Sequence, residues 1–465
     1  MENKKIAFTI VSLNYLSLAR ILGESFKRYH EDVEFMILIV DKIGDRLDRE
    51  KEKFRIFSID DLDIKEKQSF VFKFNITELN TAVKPFFIKY LFEKENADQV
   101  LYIDPDIYIY DRLEGVFAGL KESDAVFTPH ILSPMPDFDH IPNEISIMQS
   151  GCFNLGFVAF KKSEQVLNFL DWWWKRLEVY AISAPEKGLF TDQKWMDYAC
   201  SLLGKVCVLR DMGYNVAYWN IHERNNFEKK DGRYFVNNVP LRFFHYSGYL
   251  IDNQEAISKF QNRYVLSDFG DTLKELFKMY GEELKKSGFF ETKNIPYGFG
   301  SFDNGVKIHD ILRRVYYGIY KEKKFINPFD TTNQTDFYQW LRQKSRKNGN
   351  MTNLVAEIYK LRIDLQKAYP DIVANENFIL NWAVSSLPFD YGFDKDLLPN
   401  INVDNMSQKS KLKAKFYSWA VKIEKKYFVD SFAPFRFVKK HMGKKVFKFI
   451  KNNFYKNKND LVKFD

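Results

Sequence analysis

The first 110 residues alternate between two periods of hydrophobic positions. Residues 6–11, 33–40 and 100–103 are short apolar runs of the length expected for buried strands. Between them, residues 16–29 and 82–92 carry apolar side chains at the spacing of an amphipathic helix. Strands that alternate with helices in this way predict βαβ units and a doubly wound α/β sheet, in which the functional loops gather at one edge.

The middle of the chain continues the same pattern. Residues 151–160 form an apolar run that predicts another strand, with a bend at Gly156. The segment after it has apolar residues at the 3.6-residue period of a helix, namely Val166, Phe169, Leu170, Trp173 and Leu177. Because Trp173 lies within this stripe, we interpret it as a core residue rather than as a ligand platform.

Strand signals fade after residue 255, and helical segments dominate. The predicted helices cover residues 256–264, 272–287, 307–320, 335–347, 353–369 and 378–384. Segments rich in Gly, Pro and Asn separate them. We therefore predict three parts: an α/β domain at residues 1–255, a mostly helical domain at residues 256–408, and a basic, aromatic tail at residues 409–465.

The positive charge of the chain is concentrated in this tail. Residues 409–465 hold 17 Lys/Arg and 4 Asp/Glu, a net charge of +13, whereas the whole chain of 465 residues carries +8. Aromatic residues interleave with the tail lysines, which suits an interfacial helix on an anionic membrane surface, although a soluble helix with inward aromatics would show the same mixture. Nucleic acid is not an expected partner, because the rest of the chain is net acidic and lacks a recognition motif.

Cysteine content and hydropathy indicate the cellular compartment in which the protein is expected. The three cysteines, Cys152, Cys200 and Cys207, lack the spacing of a disulfide scaffold, which favours a reducing environment. The N-terminal apolar stretch is too short for a secretory signal, and no run reaches the roughly 18 apolar residues that span a membrane. We therefore predict a cytoplasmic protein, peripheral at most on the inner face of the cell membrane.

Two carboxylates at the end of a predicted strand are the main chemical signal. Asp104 and Asp106 follow the apolar run at residues 100–103, and side chains at positions i and i+2 of an extended segment point to the same face. Pro105 cannot donate to a sheet ladder, so the strand ends or lies at an edge there. Ligands of open α/β sheets bind beyond the carboxyl ends of the strands, where two oxygen donors suit a divalent cation. A turn with two solvated acids is the alternative.

Four further segments accompany this acid pair in a fixed order. They are Phe153-Asn-Leu-Gly156, Thr191-Asp-Gln-Lys194, residues 214–220 and His245-Tyr-Ser-Gly248. Together with Asp104-Pro-Asp106 they resemble the nucleotide-sugar glycosyltransferases of the GT-A fold, above all family 8, which contains glycogenin and the bacterial lipopolysaccharide galactosyl- and glucosyltransferases. The resemblance covers roughly residues 5–250. It implies a GT-A domain with a Rossmann-like, doubly wound mixed sheet.

The resemblance implies a metal site made by Asp104, Asp106 and His245. The charge of a departing nucleoside diphosphate must be neutralised, and a divalent metal does this as a Lewis acid. Mn²⁺ is the expected cofactor and Mg²⁺ the second choice, because Mn²⁺ accepts a mixed set of carboxylates and imidazole more readily. A satisfied core histidine is the alternative for His245.

The same resemblance implies residues that bind the nucleotide-sugar donor. Ser12, Asn14 and Tyr15 follow the first strand, where the base and ribose lie in such folds. Lys84 stands in place of a family arginine, whose charge it keeps without the bidentate fork. An exposed helical lysine is the alternative for Lys84.

Gly248 resembles a family glycine whose backbone approaches the diphosphate closely, which the absence of a Cβ permits. In the family, a Lys-Pro-Trp sequence usually follows this glycine. Here Tyr249-Leu-Ile-Asp252 follows it instead. The expected lysine contact to the diphosphate is therefore missing from its usual position.

Three residues resemble the catalytic part of the family. Asp192 and Gln193 correspond to a pair near the anomeric carbon, where a carboxylate acts as a nucleophile or stabilises an oxocarbenium-like centre. Asn154 has an amide that both donates to and accepts from sugar hydroxyls. The alternatives are a helix N-cap around Thr191 and a capped turn at Asn154. The resemblance implies retention of configuration, by double displacement or by same-face attack.

These observations predict a glycosyltransferase that moves a sugar from a nucleotide diphosphate sugar, with UDP as the implied nucleotide, to a glycan or lipid-linked acceptor in bacterial surface polysaccharide synthesis. A catalytically inactive module that binds a nucleotide sugar or glycan is the alternative from another class. A phosphoesterase is disfavoured, because a two-metal site needs more acidic or histidine ligands than the sequence offers here. The sequence indicates no oligomeric state.

Overall fold

The computed structural model of the chain describes residues 3–253, 255–346 and 350–399. Contacts divide the chain into two compact units, Met1–Phe302 with Ile326–Phe329, and Asp303–Phe325 with Asp330–Asp465. The predicted domain limits at residues 255 and 408 stay predictions. The basic tail at residues 409–465, with its predicted lipid contact, lies outside the described residues.

A seven-stranded mixed sheet forms the centre of the first unit. The strands of this unit are β1 (Lys5–Val11), β2 (Glu34–Ile39), β3 (Arg55–Ser58), β4 (Gln99–Ile103), β5 (Ile107–Ile109), β6 (Ala125–Pro129), β7 (Phe153–Lys161), β8 (Ser183–Ala184), β9 (Leu189–Phe190), β10 (Val206–Val208), β11 (Phe227–Lys230), β12 (Arg233–Val236), β13 (Val239–Pro240) and β14 (Phe243–His245). The order in the large sheet is β3-β2-β1-β4-β7-β6-β10. Its neighbours pair in parallel, except that β7 runs antiparallel to β4 and β6.

Helices cover both faces of this sheet. The helices of the first unit are α1 (Leu16–Lys27), α2 (Lys67–Lys73), α3 (Ile76–Ala82), α4 (Lys84–Glu93), α5 (Glu114–Glu122), α6 (Glu144–Ser150), α7 (Glu164–Tyr180), α8 (Ala199–Leu202), α9 (Asp271–Lys286) and α10 (Phe289–Thr292). Ala7 of β1 belongs to the core that α1 and α5 share, whereas the next residue, Phe8, packs on Phe87 of α4. Because successive strand residues face opposite sides, β1 contributes to two cores. The predicted doubly wound mixed α/β sheet is confirmed.

The hydrophobic stripe of α7 is also confirmed. The five residues named for it from the sequence are all buried, and Trp173 is fully buried. β7, in contrast, continues through Gly156 as a strand from Phe153 to Lys161. The expected bend at this glycine therefore does not interrupt the strand.

The helix predicted at residues 256–264 is wrong. This segment consists of turns and one isolated bridge between Ala256 and Val265. Ser258 Oγ accepts the Phe260 N–H at 3.1 Å, and Gln261 Oε1 accepts the backbone N–H of the residues two and three positions on. Such side-chain bonds give the backbone an alternative to helical pairing, which overrides the apolar periodicity.

The second unit is helical in its described part, as the sequence predicts. Its helices are α11 (Asp310–Ile319), α12 (Phe337–Arg342), α13 (Asn353–Leu361), α14 (Ile363–Ala368) and α15 (Glu376–Asp390). The single helix predicted at residues 353–369 is two, because Arg362 adopts an extended conformation between them. None of the helices that the structure describes is long and apolar enough to cross a membrane.

Candidate active site

Two short strands bring His245 to the acid pair. β4 ends before Pro105, and the chain resumes as β5, which pairs antiparallel with β14 so that Ile107 lies opposite His245. The Tyr246 N–H donates to the Asp106 carbonyl at 2.8 Å and extends this pairing by one residue. The prediction that Pro105 ends the strand is confirmed, and the break places residues from distant parts of the sequence side by side.

Asp104, Asp106 and His245 form a compact set of possible metal ligands. One ligand atom from each lies within 4.8 Å of the others. His245 Nε2 is 3.0 Å from Asp106 Oδ1 and 3.7 Å from Asp104 Oδ2. His245 is buried, and its Nδ1 has no hydrogen-bond partner, so it is not a satisfied core histidine. Two carboxylates and an imidazole at these separations could hold a divalent cation.

Gly156 provides the space that this set occupies. A Cβ at this position would lie 2.4 Å from His245 Cε1 and 2.9 Å from both Asp104 Oδ2 and Asn154 Oδ1. Real Cβ atoms do not approach other atoms so closely, so any larger residue would displace a ligand side chain. β7 therefore borders the site at Gly156, where the lack of a side chain leaves room for the possible ligand residues.

Burial and mutual repulsion shape the electrostatics of the triad. Burial raises the pKa of Asp104, and repulsion from Asp106 adds to this, while Lys84 and His245 act in the opposite direction. For His245, burial lowers the pKa, but the attraction of Asp106 and Asp104 outweighs burial, and the pKa is raised. The raised pKa of His245 indicates that the two carboxylates favour a positive charge beside them.

Lys84 connects the acid pair to Asp192. Its ammonium forms an ion pair with the Asp192 carboxylate and donates to the Leu155 carbonyl at 2.9 Å. It also lies 3.8 Å from the centre of the Tyr102 ring, and the Tyr102 hydroxyl donates to Asp104. Lys84 is buried, so the alternative of an exposed helical lysine is wrong. Its predicted contact to the donor stays a prediction.

Gln193 and Asn154 lie next to each other behind the triad. Gln193 Oε1 accepts the Leu155 N–H at 2.9 Å and the Asn154 Nδ2–H at 3.4 Å, and Gln193 Nε2 donates to the Ser150 carbonyl at 3.0 Å. The Asn154 side-chain oxygen is buried and has no partner. Gln193 therefore bonds to the backbone of Leu155 and Ser150 as well as to Asn154, whose side-chain oxygen remains a free acceptor near Asp104.

The Asp192 side chain does not act as a helix cap. Asp192 occupies the N-cap position of the 3₁₀ turn Gln193–Tyr198, but its side chain makes no capping bond. Its carboxylate accepts the Thr191 hydroxyl at 3.2 Å and pairs with Lys84. Thr191 has a φ of 46°, a left-handed conformation that is costly for a β-branched residue. The backbone here is held in an unusual conformation that turns Asp192 toward Lys84.

A cavity of about 480 Å³ opens in front of Asp104 and Asp106. Ser12, Asn14 and Tyr15 line it, as the sequence predicts for residues after the first strand. The Ser12 hydroxyl is already used, because it donates to the Val40 carbonyl and accepts from Asn80. The Asn14 side-chain oxygen is buried and unpartnered, and Tyr15 is 47% exposed. These two residues are therefore available to a ligand.

Gly248 lies in an adjoining cavity of about 300 Å³, which shares Asn14, Tyr15 and Asp106 with the first. Gly248 has a φ of +73°, and a Cβ there would lie 2.5 Å from Ser258 Oγ and 2.6 Å from the Phe260 ring. A glycine is therefore required at position 248, because Ser258 and Phe260 approach it too closely for a side chain. Its predicted contact to a diphosphate stays a prediction.

The lining residues that sequence reasoning missed include Tyr102, Thr77, Asn80, Lys259 and Phe260. Tyr102 had a usable signal, since it lies two positions before Asp104 on the same face of a strand. Thr77 and Asn80 belong to α3, and Lys259 and Phe260 to the segment mistaken for a helix. Nothing local in the sequence connects these four with the acid pair.

Comparison with known proteins gives relatives at low identity. No protein-family model matches the chain. The Bacillus subtilis (strain 168) protein YfnF, described as uncharacterized, is 28% identical over 251 residues, which are 52% of this chain and 81% of YfnF.

Among solved structures, the galactosyltransferase LgtC in complex with donor and acceptor sugar analogs matches 63% of this chain and 97% of its own, with 13% identity and a TM-score of 0.37. The glycosyltransferase GlyE of Streptococcus pneumoniae TIGR4 matches 65% of this chain and 67% of its own, with 14% identity and a TM-score of 0.36. Both of these solved proteins are glycosyltransferases.

Proposed function

We propose that this chain is a metal-dependent glycosyltransferase that moves a sugar from a nucleotide diphosphate sugar, with UDP as the nucleotide, to a glycan or lipid-linked saccharide. The observation that carries the proposal is the convergence of Asp104, Asp106 and His245 at the wall of a cavity of about 480 Å³. The cavity lies beyond the carboxyl ends of parallel strands, where open α/β sheets bind nucleotides.

The chain's own groups suit the parts of such a donor. A divalent cation held by the triad would neutralise the departing diphosphate as a Lewis acid. The free Asn14 oxygen would accept a hydrogen bond from the base or the ribose, which removes the cost of leaving a buried acceptor unpaired. Asn154 offers its free side-chain oxygen to a sugar hydroxyl in the same manner.

Asp192 is the group that we assign to the anomeric centre. In the transfer, the bond between the anomeric carbon and the diphosphate oxygen breaks, and a bond to the acceptor oxygen forms. The acceptor proton leaves with the diphosphate. The Asp192 carboxylate, which Lys84 and Thr191 hold in place, would stabilise positive charge on the sugar or attack it directly, and both routes retain the configuration.

We further propose that the reaction belongs to bacterial surface polysaccharide synthesis and that the protein works at the inner face of the cell membrane. The support is the net charge of +13 on residues 409–465, which would attract an anionic surface. A lipid-linked acceptor would be reached there. Vesicles with and without anionic lipid, compared by sedimentation, test this part separately from the chemistry.

The test is a panel of nucleotide sugars screened by thermal shift with and without Mn²⁺, followed by assays of donor hydrolysis and sugar transfer. We expect one donor to stabilise the protein only when metal is present, and Asp106→Ala to lose most of that stabilisation. Asp63→Ala is the control, because Asp63 is exposed and lies outside both cavities. Equal stabilisation of wild type and Asp106→Ala would overturn the metal site. Metal-dependent binding with no turnover of any donor would favour the inactive binding module.

A further inference from the structure

The cavity in front of the acid pair has a single cationic residue. Among the described residues that line it, Lys259 is the one lysine or arginine, and it lines the adjoining cavity as well. Lys84 does not take this role, because its charge is committed to the buried Asp192. Any anionic ligand in this cavity therefore meets two carboxylates and one available ammonium.

Hydrogen bonds hold Lys259 close to the end of β14, the strand that carries His245. The Lys259 N–H donates to the Gly248 carbonyl at 3.0 Å, and the neighbouring Ser258 hydroxyl donates to the Ser247 carbonyl at 2.8 Å. Gly248 makes this contact possible, because a Cβ at position 248 would collide with Ser258 and Phe260. The backbone of Lys259 is thus fixed, while its side chain is exposed.

The charge of Lys259 is not used within the described part of the protein. No carboxylate there forms an ion pair with it, and its ammonium lies 4.9 Å from the centre of the adjacent Phe260 ring. An ammonium on a flexible stem is a suitable point charge for phosphate oxygens. It would reach a ligand without first breaking a salt bridge.

We propose that Lys259 binds the diphosphate of the donor and of the leaving nucleotide. This inference rests on the proposed function. Each phosphate of the donor carries negative charge, and a divalent cation held by Asp104 and Asp106 would neutralise only part of it, because the two carboxylates offset some of the charge of the cation. Breaking the glycosidic bond adds further negative charge on the diphosphate, so a cation is needed on that side. Lys259 thereby replaces, from a different place in the sequence, the lysine that is missing after Gly248.

The experiment is titration calorimetry of UDP, UMP and uridine with Mn²⁺ at constant ionic strength, on wild type, Lys259→Met, Lys259→Arg and Lys65→Met. Lys65 is the matched control, because it is exposed and lies outside both cavities. We expect Lys259→Met to weaken UDP binding about 10- to 100-fold, the range for a lost hydrogen bond to a charged group. UMP should weaken less and uridine not at all. Lys259→Arg should restore most of the UDP affinity, and Lys65→Met should bind like wild type.

The outcomes separate this inference from the proposed function. Wild-type protein that binds none of UDP, GDP and ADP with Mn²⁺ would overturn the proposed function itself. Wild-type protein that binds UDP, together with Lys259→Met that binds it equally well, would overturn only the role of Lys259. An equal loss in Lys65→Met would also overturn it, since the effect would then be one of general charge.

Discussion

The ammonium of Lys84 and the carboxylate of Asp192 form an ion pair in which both side chains are almost completely buried. Asp192 follows the short strand β9, whereas Lys84 begins α4, so the pair joins two distant parts of the first unit. The same ammonium faces the ring of Tyr102, whose hydroxyl contacts Asp104. Lys84 therefore contacts Asp192 directly and is linked to Asp104 through Tyr102.

Replacement of Lys84 alone should destabilise the protein. We expect Lys84→Met to lower the free energy of unfolding by about 3 kcal/mol, because Asp192 would remain buried without a counter-charge. The double variant Lys84→Met/Asp192→Asn should lose clearly less than the sum of the two single changes. Urea unfolding of all four proteins measures this coupling, and additive losses would contradict it.

Gly156→Ala should remove metal binding without a large change of fold. The added Cβ would lie 2.4 Å from His245 Cε1, so the imidazole must move away from the acid pair. We expect the affinity for Mn²⁺, measured from the spin-resonance signal of the free ion, to fall at least about 10-fold, and the stability to fall by about 1–3 kcal/mol.

Gly318→Ala is the control for this change, because its Cβ meets nothing within 4 Å and lies in a helix. It should leave the affinity for Mn²⁺ unchanged and slightly raise stability. A Gly156→Ala protein with an unaltered Mn²⁺ titration would show that His245 is not a ligand.

Asp104 and Asp106 show which parts of the candidate site can be predicted from local sequence rules. The i and i+2 spacing of Asp104 and Asp106 and the effect of Pro105 depend only on extended-chain geometry and on a missing N–H, so they could be predicted. His245 is joined to them through the pairing of β5 with β14 across more than a hundred residues of sequence. Only the resemblance to a family, not the spacing, could suggest that partner.

Lys84 and Lys259 show what local patterns miss. Lys84 lies in an amphipathic pattern that does not determine whether its side chain is exposed. Its burial follows from the ion pair with Asp192, which lies in a distant part of the sequence. Lys259 lies in a segment whose apolar spacing predicts a helix, but Ser258 and Gln261 bond to nearby backbone and hold turns instead. A tertiary ion pair decides the first case and side-chain bonds to nearby backbone decide the second, and the apolar period displays neither.

Gly248→Ala should cost more stability than Gly232→Ala. Both glycines have positive φ, +73° and +76°, but a Cβ at position 232 meets nothing within 4 Å, whereas one at position 248 collides with Ser258 and Phe260. We expect about 1 kcal/mol for Gly232→Ala from the backbone conformation alone, and about 2–4 kcal/mol for Gly248→Ala because overpacking is added. Urea unfolding gives both values, and equal losses would show that the packing around Gly248 relaxes freely.

His30 should make the protein less stable in mild acid. Burial, followed by repulsion from Arg112, lowers the pKa of His30 from 6.5 to about 4. Its Nε2 accepts the Leu113 N–H at 3.1 Å, which requires a neutral ring with the proton on Nδ1. Between pH 6.5 and 4 the unfolded chain binds a proton at this position and the folded chain does not, so stability falls as the pH falls.

His30→Gln tests this directly, because a glutamine oxygen also accepts from Leu113 but does not titrate. We expect the wild type to lose about 2 kcal/mol more than His30→Gln between pH 7 and pH 4.5, a figure that allows for partial solvent screening of the histidine. Urea unfolding at several pH values measures both slopes. Because other groups titrate identically in the two proteins, only their difference reports on His30, and parallel curves would mean that its ring is protonated equally well in the folded and unfolded chain.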